Sequence, residues 1–187
     1  MKRKIVIAAV TAAVLVAGTA ATAVAFADDD GRDADRGAAA RVSVGDAASS
    51  AVRAVPGTVT GAELDDEDGA VVWELDVYGS DKITHDVTVD AGDGKVLGKH
   101  ASDDNDDRDR RAPRPAPVTL DAAVAAALKE SPGTVTSIEL DGREGGATHW
   151  EVDVRGEDGK EHEMDVDAKS AAVTVDRSDD GRDSDDD

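Results

Sequence analysis

The chain contains the same stretch twice. Val44-Gly45-Asp46-Ala47-Ala48 through Val55-Pro56-Gly57-Thr58-Val59-Thr60 corresponds to Leu120 through Ser131-Pro132-Gly133-Thr134-Val135-Thr136, at an offset of 76 residues. Past Asp65 and Asp141 the offset is 77, and Trp73-Glu74-Leu75-Asp76-Val77 aligns with Trp150-Glu151-Val152-Asp153-Val154. Gly79, His85 and Val89-Asp90-Ala91 align in the same way with Gly156, His162 and Val166-Asp167-Ala168. Each copy covers about 55 residues, which is a duplicated domain and not a solenoid, whose shorter units must stack several deep. The expected organisation is two tandem small domains, residues 43–97 and 118–175.

Each copy opens with an apolar stripe at helical spacing. Val44, Ala47, Ala48, Ala51, Val52 and Val55 form it in the first, and Leu120, Ala123, Val124, Ala127 and Leu128 in the second. Ser43 and Thr119 stand as N-caps, and Asp46 and Asp121 lie in the first turn, where the helix dipole favours an anion. Pro56-Gly57 and Pro132-Gly133 stop each helix.

Alternating strands follow. Val71, Trp73, Leu75 and Val77 share a face opposite Val72, Glu74, Asp76 and Tyr78; in the second copy Thr148, Trp150, Val152 and Val154 oppose His149, Glu151, Asp153 and Arg155. Ala62 with Leu64, and Ile138 with Leu140, mark the strand before. Ile83, His85, Val87 and Val89, matched by His162, Met164 and Val166, mark the strand after, with Lys95–Leu97 and Ala172–Val175 as short closing strands. Period-two alternation means an antiparallel sheet with one wet face. The fold class is therefore α+β, each domain being one helix packed on a three- to four-stranded antiparallel sheet.

Residues 1–27 read as a secretory signal peptide, with a basic Lys2–Lys4, an apolar Ile5–Gly18 and small-x-small patterns ending at Ala25 and Ala27. A retained anchor is the alternative, but Ala and Thr dominate the run, so its insertion is weakly favoured. Export puts the chain outside the cell or in the cell envelope, with no membrane contact after cleavage. The acidic segments 28–42 and 176–187 lack apolar periodicity and are expected to be disordered, and 98–117 is a charged, Pro-rich linker. The net charge is -21, and it becomes -24 when Lys2, Arg3 and Lys4 leave with the signal. That excludes binding to nucleic acid or anionic lipid, which depends on Lys and Arg displacing counterions. Like charge on both domains and the stiff linker should keep the domains apart, and a monomer is expected.

A helix, a Pro-Gly break, three alternating strands with an aromatic in the middle one, and a closing Asp-Ala-x-x-Gly-x-Val turn resemble the PepSY domain family. The matching residues are Ala47, Ala51, Pro56, Gly57, Glu63, Leu64, Trp73, Glu74, Val77, Asp90, Ala91, Gly94 and Val96 in the first copy. In the second they are Ala123, Ala127, Pro132, Gly133, Glu139, Leu140, Trp150, Glu151, Val154, Asp167, Ala168 and Val173. The second departs at Ala171, where the first has Gly94, so a looser final turn is expected there. Members of the family occur in propeptides of secreted metalloproteases and in envelope proteins. The resemblance thus implies a secreted, non-enzymatic protein that inhibits or regulates extracytoplasmic peptidases by docking.

Reactive motifs are missing. The chain has no Cys, and it lacks His-Glu-x-x-His, Gly-x-Ser-x-Gly and any phosphate-cradling glycine loop, so no catalytic residue, cofactor or metal site is expected. Asp103-x-Asn105-x-Asp107 begins like a calcium loop, but Arg108 stands at the turn glycine and Arg114 at the bidentate Glu. Loose divalent-cation binding by Asp65–Gly69 or Asp183–Asp187 leaves an alternative function, an acidic envelope protein that binds or senses cations. His85 and His162 share one position on the apolar side of a strand and read as half-buried rim residues, with a shared metal or pH-sensing position as the sharper option. His100 and His149 are expected to be exposed, and Trp73 and Trp150 to anchor the two cores. The expected interaction face comprises Glu74, Asp76, Glu151 and Asp153, with His85 and His162.

Overall fold

The polar residues before each apolar stripe act as the caps their positions demand. In the computed structural model, which describes residues 40–67, 69–102, 113, 115–142 and 147–175, helix α1 is Val44–Ala54 and helix α2 is Leu120–Glu130. Ser43 Oγ accepts the Asp46 N–H at 3.2 Å, and Thr119 Oγ1 accepts the Ala122 N–H at 3.3 Å. The expected signal peptide, most of the 28–42 segment, the Asp103–Asp107 run and the 176–187 tail lie outside the described residues.

Four antiparallel strands follow each helix: β1 (Gly57–Glu67), β2 (Ala70–Gly79), β3 (Thr84–Asp90) and β4 (Val96–Ala101), then β5 (Gly133–Gly142), β6 (Thr148–Gly156), β7 (Glu161–Asp167) and β8 (Val173–Val175). Strand β4 runs into the segment expected as linker, because Lys99 and His100 continue the ladder opposite Val87 and Asp86. Gly57 and Gly133 do more than end a helix. A Cβ at either would collide with a backbone carbonyl, that of Tyr78 or Arg155, so a bare α-carbon is what lets β1 and β5 start hard against their neighbours.

The expectation of two separate sheets is overturned. The strands form one eight-stranded sheet in the order β4-β3-β2-β1-β5-β6-β7-β8. The copies join where β1 pairs antiparallel with β5, through Gly61 with Glu139, Ala62 with Ile138 and Glu63 with Ser137. Like net charge does not prevent this, since the register sets Gly61 opposite Glu139 and Ser137 opposite Glu63, so no two carboxylates face each other directly at the join. An unpaired strand edge, by contrast, leaves a row of backbone donors and acceptors to satisfy.

Both helices cover the same face, and the two cores are one cluster. Ala62 and Ile138 lie at its centre, with 4% and 0% of their surface exposed. Trp73 and Trp150 are buried, as their place on the dry face requires. Each indole Nε1–H donates at 2.9 Å to the carbonyl just before a helix cap, Val42 and Val118 respectively. A tryptophan thus ties the middle of each half-sheet to the entry of its helix, burying a large ring while its polar atom keeps a partner.

The final turns are equally tight in the two copies. Asp90 Oδ1 accepts from the N–H groups of Gly92 and Asp93, and Asp167 Oδ1 accepts from those of Lys169 and Ser170. The N–H of Gly94 meets Asp90 O at 2.9 Å, and that of Ala171 meets Asp167 O at the same distance. The missing glycine is compensated by strain and not by loosening, since Ala171 adopts φ +58° where Gly94 has +77°.

Two outcomes follow from this architecture. Because one core and one sheet span both copies, thermal unfolding of residues 40–175 should be a single transition. Ile138→Ala, which opens a cavity at the join, should lower the stability of the whole by about 2–5 kcal/mol, with no separate transition for the first copy in calorimetry. Ala171→Gly should raise stability by about 1 kcal/mol, the cost of a left-handed alanine, and Gly94→Ala should lower it by a similar amount; denaturant midpoints measure both.

Candidate functional site

The face of the sheet that carries no helix is the most distinctive surface of the molecule. The antiparallel registers place its side chains in two adjacent rows across the strands. One row holds Asp86, Asp76, Glu139, Glu151 and Asp165, between His100 at one end and Thr174 at the other, with Gly61 at its middle. The other holds Glu74, Glu63, Asp153 and Glu163, together with Gly98, Thr88 and Ser137. Neither row contains a Lys or Arg. These carboxylates alternate with the core residues Trp73, Leu75, Val77, Trp150, Val152 and Val154, so burying one set on the helix side forces the other to the far side. At the β1–β2 hairpin end the face is not bare, since Val72, between Asp65 and Asp90 in register, is buried.

The structure brings Glu74, Asp76, Glu151 and Asp153 together on this face, two in each row. It does not bring His85 and His162 to them. Those histidines pair in register with the buried Val77 and Val154, on the helix side, at the outer end of each half. There each meets an aspartate four residues earlier in the chain: His85 Nε2 lies 2.9 Å from Asp81 Oδ2, and His162 Nε2 lies 3.1 Å from Asp158 Oδ1. The His85 hydrogen bond holds the Asp81 carboxyl below the usual aspartate range. Asp158 is lowered first by the Lys160 N–H and then by His162. With side chains 19% and 31% exposed, both histidines are rim residues. His85 also lines an open recess with Asp81, Lys99 and His100 beside the end of α1.

His149 is the residue that the alternation placed correctly but the exposure expectation missed. It stands on the acidic face, yet its side chain is only 18% exposed, and Nε2 lies 3.3 Å from Asp165 Oδ1. With Glu151 these two form a group whose donor atoms, one from each residue, all lie within 4.8 Å of one another. His100, 49% exposed, sits 3.2 Å from Asp86 at the far end of the same row. The signal for His149 was available in the sequence: it alternates with buried residues on a central strand, where flanking strands cover part of every side chain.

Crowding like charges on a sheet has a visible electrostatic consequence. Burial pushes the Glu151 carboxyl above the usual glutamate range, and the neighbouring Glu163, Glu139, Asp165 and Asp141 push it the same way. An acid with a raised folded-state pKa favours the fold below its unfolded value and loses that contribution as pH rises through the folded value. Glu151→Gln in chelator-treated buffer should therefore stabilise the protein at pH 7. The gain should shrink as the pH falls through the raised folded value, where the native carboxyl takes up its proton, and be gone below the ordinary glutamate value of about 4.3; urea midpoints from pH 7 downward test the sign.

Residues 41–100 and 117–174, together more than half of the chain, match the family described as PepSY, the peptidase propeptide and YPEB domain. No curated protein matches the chain. Among solved structures, a candidate lipoprotein of Clostridium difficile 630 is similar at 22% identity and a TM-score of 0.42, covering 64% of this chain and 81% of that one. Among the described residues, no helix is long and apolar enough to cross a membrane.

Proposed function

We propose that this chain, which belongs to the PepSY family, is a non-catalytic extracytoplasmic protein that docks on a peptidase through the helix-free face of its joined sheet. The observation that carries the reading is the pair of acidic rows, one reaching from β3 to β7 and the other from β2 to β7 because β1 pairs with β5. Two rows of acids spanning both copies suit a basic partner surface, which they steer and orient at long range. The family description supports a peptidase as the class of partner, and the signal-like residues 1–27 support an extracytoplasmic compartment. Pairing of β1 with β5 also removes two edges that separate domains would have offered to a partner strand. The outer strands β4 and β8 remain as the ends of the sheet, with Val96, Leu97 and Val175 exposed on them.

The purified chain should slow hydrolysis of casein by the secreted peptidases of its own organism, and rising NaCl should relieve the inhibition as the charges are screened. Combined neutralisation by Glu74→Gln, Asp76→Asn, Glu151→Gln and Asp153→Asn should remove most of the effect while leaving the fold intact by circular dichroism. Inhibition unchanged in that variant, or absent from the native protein, refutes the reading.

A further inference from the structure

We propose that the second copy holds a divalent transition-metal cation of the zinc class between His149, Glu151 and Asp165, at a site that the first copy lacks. This goes beyond docking, because it needs one corner of the acidic face and no protein partner.

The geometry comes from adjacent strands. His149 and Glu151 are two apart on β6 and so project from the same face, and Asp165 on β7 stands directly opposite Glu151. All three are half-buried, and their donor atoms fall within 4.8 Å of one another. Bonds of about 2.0–2.2 Å to a central zinc need donors only somewhat closer together than this, within reach of small side-chain rotations. The histidine is also oriented for the role. Its Nε2 faces Asp165 Oδ1 at 3.3 Å, and its Nδ1 lies 3.5 Å from the Ala147 carbonyl, an acceptor for a proton carried on that nitrogen when Nε2 binds a metal. Metal-binding histidines are commonly held by such a backbone acceptor. One imidazole with two carboxylates suits zinc and its neighbours, whereas calcium and magnesium prefer oxygen donors alone.

The internal duplication distinguishes a site from incidental crowding. At the offset of 77, His149 corresponds to Val72, Glu151 to Glu74 and Asp165 to Thr88. The same backbone frame thus forms in the first copy with neither the imidazole nor the aspartate. The fold has no need of those two side chains, and the second copy carries both, converging on a glutamate that the two copies share.

The same comparison supplies conservative variants. His149→Val and Asp165→Thr install the residues that the first copy carries in the same frame, so both should fold, as circular dichroism would confirm. Zinc chloride titrated calorimetrically into the full chain should show one equivalent of saturable binding. Since loss of even an outer partner of a metal ligand costs about 10–100-fold in affinity, each variant should weaken binding at least tenfold, and Glu130→Gln, a distant charge-matched control, should not. His149→Val is the decisive case because it removes no negative charge: diffuse attraction to the acidic face survives it, and a coordinated metal does not. In NMR, zinc should shift the ring signals of His149 ahead of those of His85, His100 and His162. Zinc binding unchanged by His149→Val, or equalled by calcium at the same concentrations, overturns the proposal.

Discussion

The pairing of β1 with β5 is the contact on which the rest of the molecule depends. It is short, three residue pairs with Ala62 and Ile138 at the centre, but it satisfies two strand edges that would otherwise lie open. It also closes the two half-cores into one. A domain of about 60 residues buries too little surface to be more than marginally stable alone, and merging two of them raises the buried fraction without a disulfide or structural metal. The chain has no Cys, so a disulfide is not available to it. Each tryptophan then fastens its helix to the shared sheet through a buried indole hydrogen bond.

The join also creates the surface proposed for docking. Two separate sheets would present two short acidic patches facing unrelated directions. One sheet aligns Asp76 with Glu139 and Glu151 across Gly61, and Glu74 with Glu63 and Asp153 across Ser137. The small residues Gly61 and Ser137 occupy the crossing positions, where two further carboxylates would otherwise meet at the centre of the field. The consequence of the remaining density is visible at Glu151, whose proton is held more tightly than usual by burial and by four neighbouring acids.

Comparing the copies separates residues that the fold requires from those it merely accommodates. Pro-Gly before the first strand, tryptophan in the second and Asp-Ala at the closing turn occur in both copies. They serve close strand approach, helix anchoring and turn capping, respectively. Where the copies differ, backbone geometry persists and side-chain chemistry changes. Ala171 keeps the left-handed turn of Gly94 at an energetic cost, and His149 and Asp165 replace Val72 and Thr88 without disturbing the register.

The elements themselves were legible in the sequence because they follow from local periodicity. A stripe at helical spacing, caps at Ser43 and Thr119, and strict alternation through Trp73 and Trp150 left one arrangement for each half. The same alternation assigned Glu74, Asp76, Glu151 and Asp153 to one face and put His85 and His162 beside the core. The relation between the halves was not legible. Like charge and a Pro-rich segment argued for separation, whereas three backbone pairs and a buried Ile138 decided for union, and such pairing between residues some 76 positions apart leaves no periodic trace in the chain. The meeting of His149 with Asp165 was hidden for the same reason. Their strands are neighbours, but which residue faces which depends on register, and register is set only when the hairpins close against a common core.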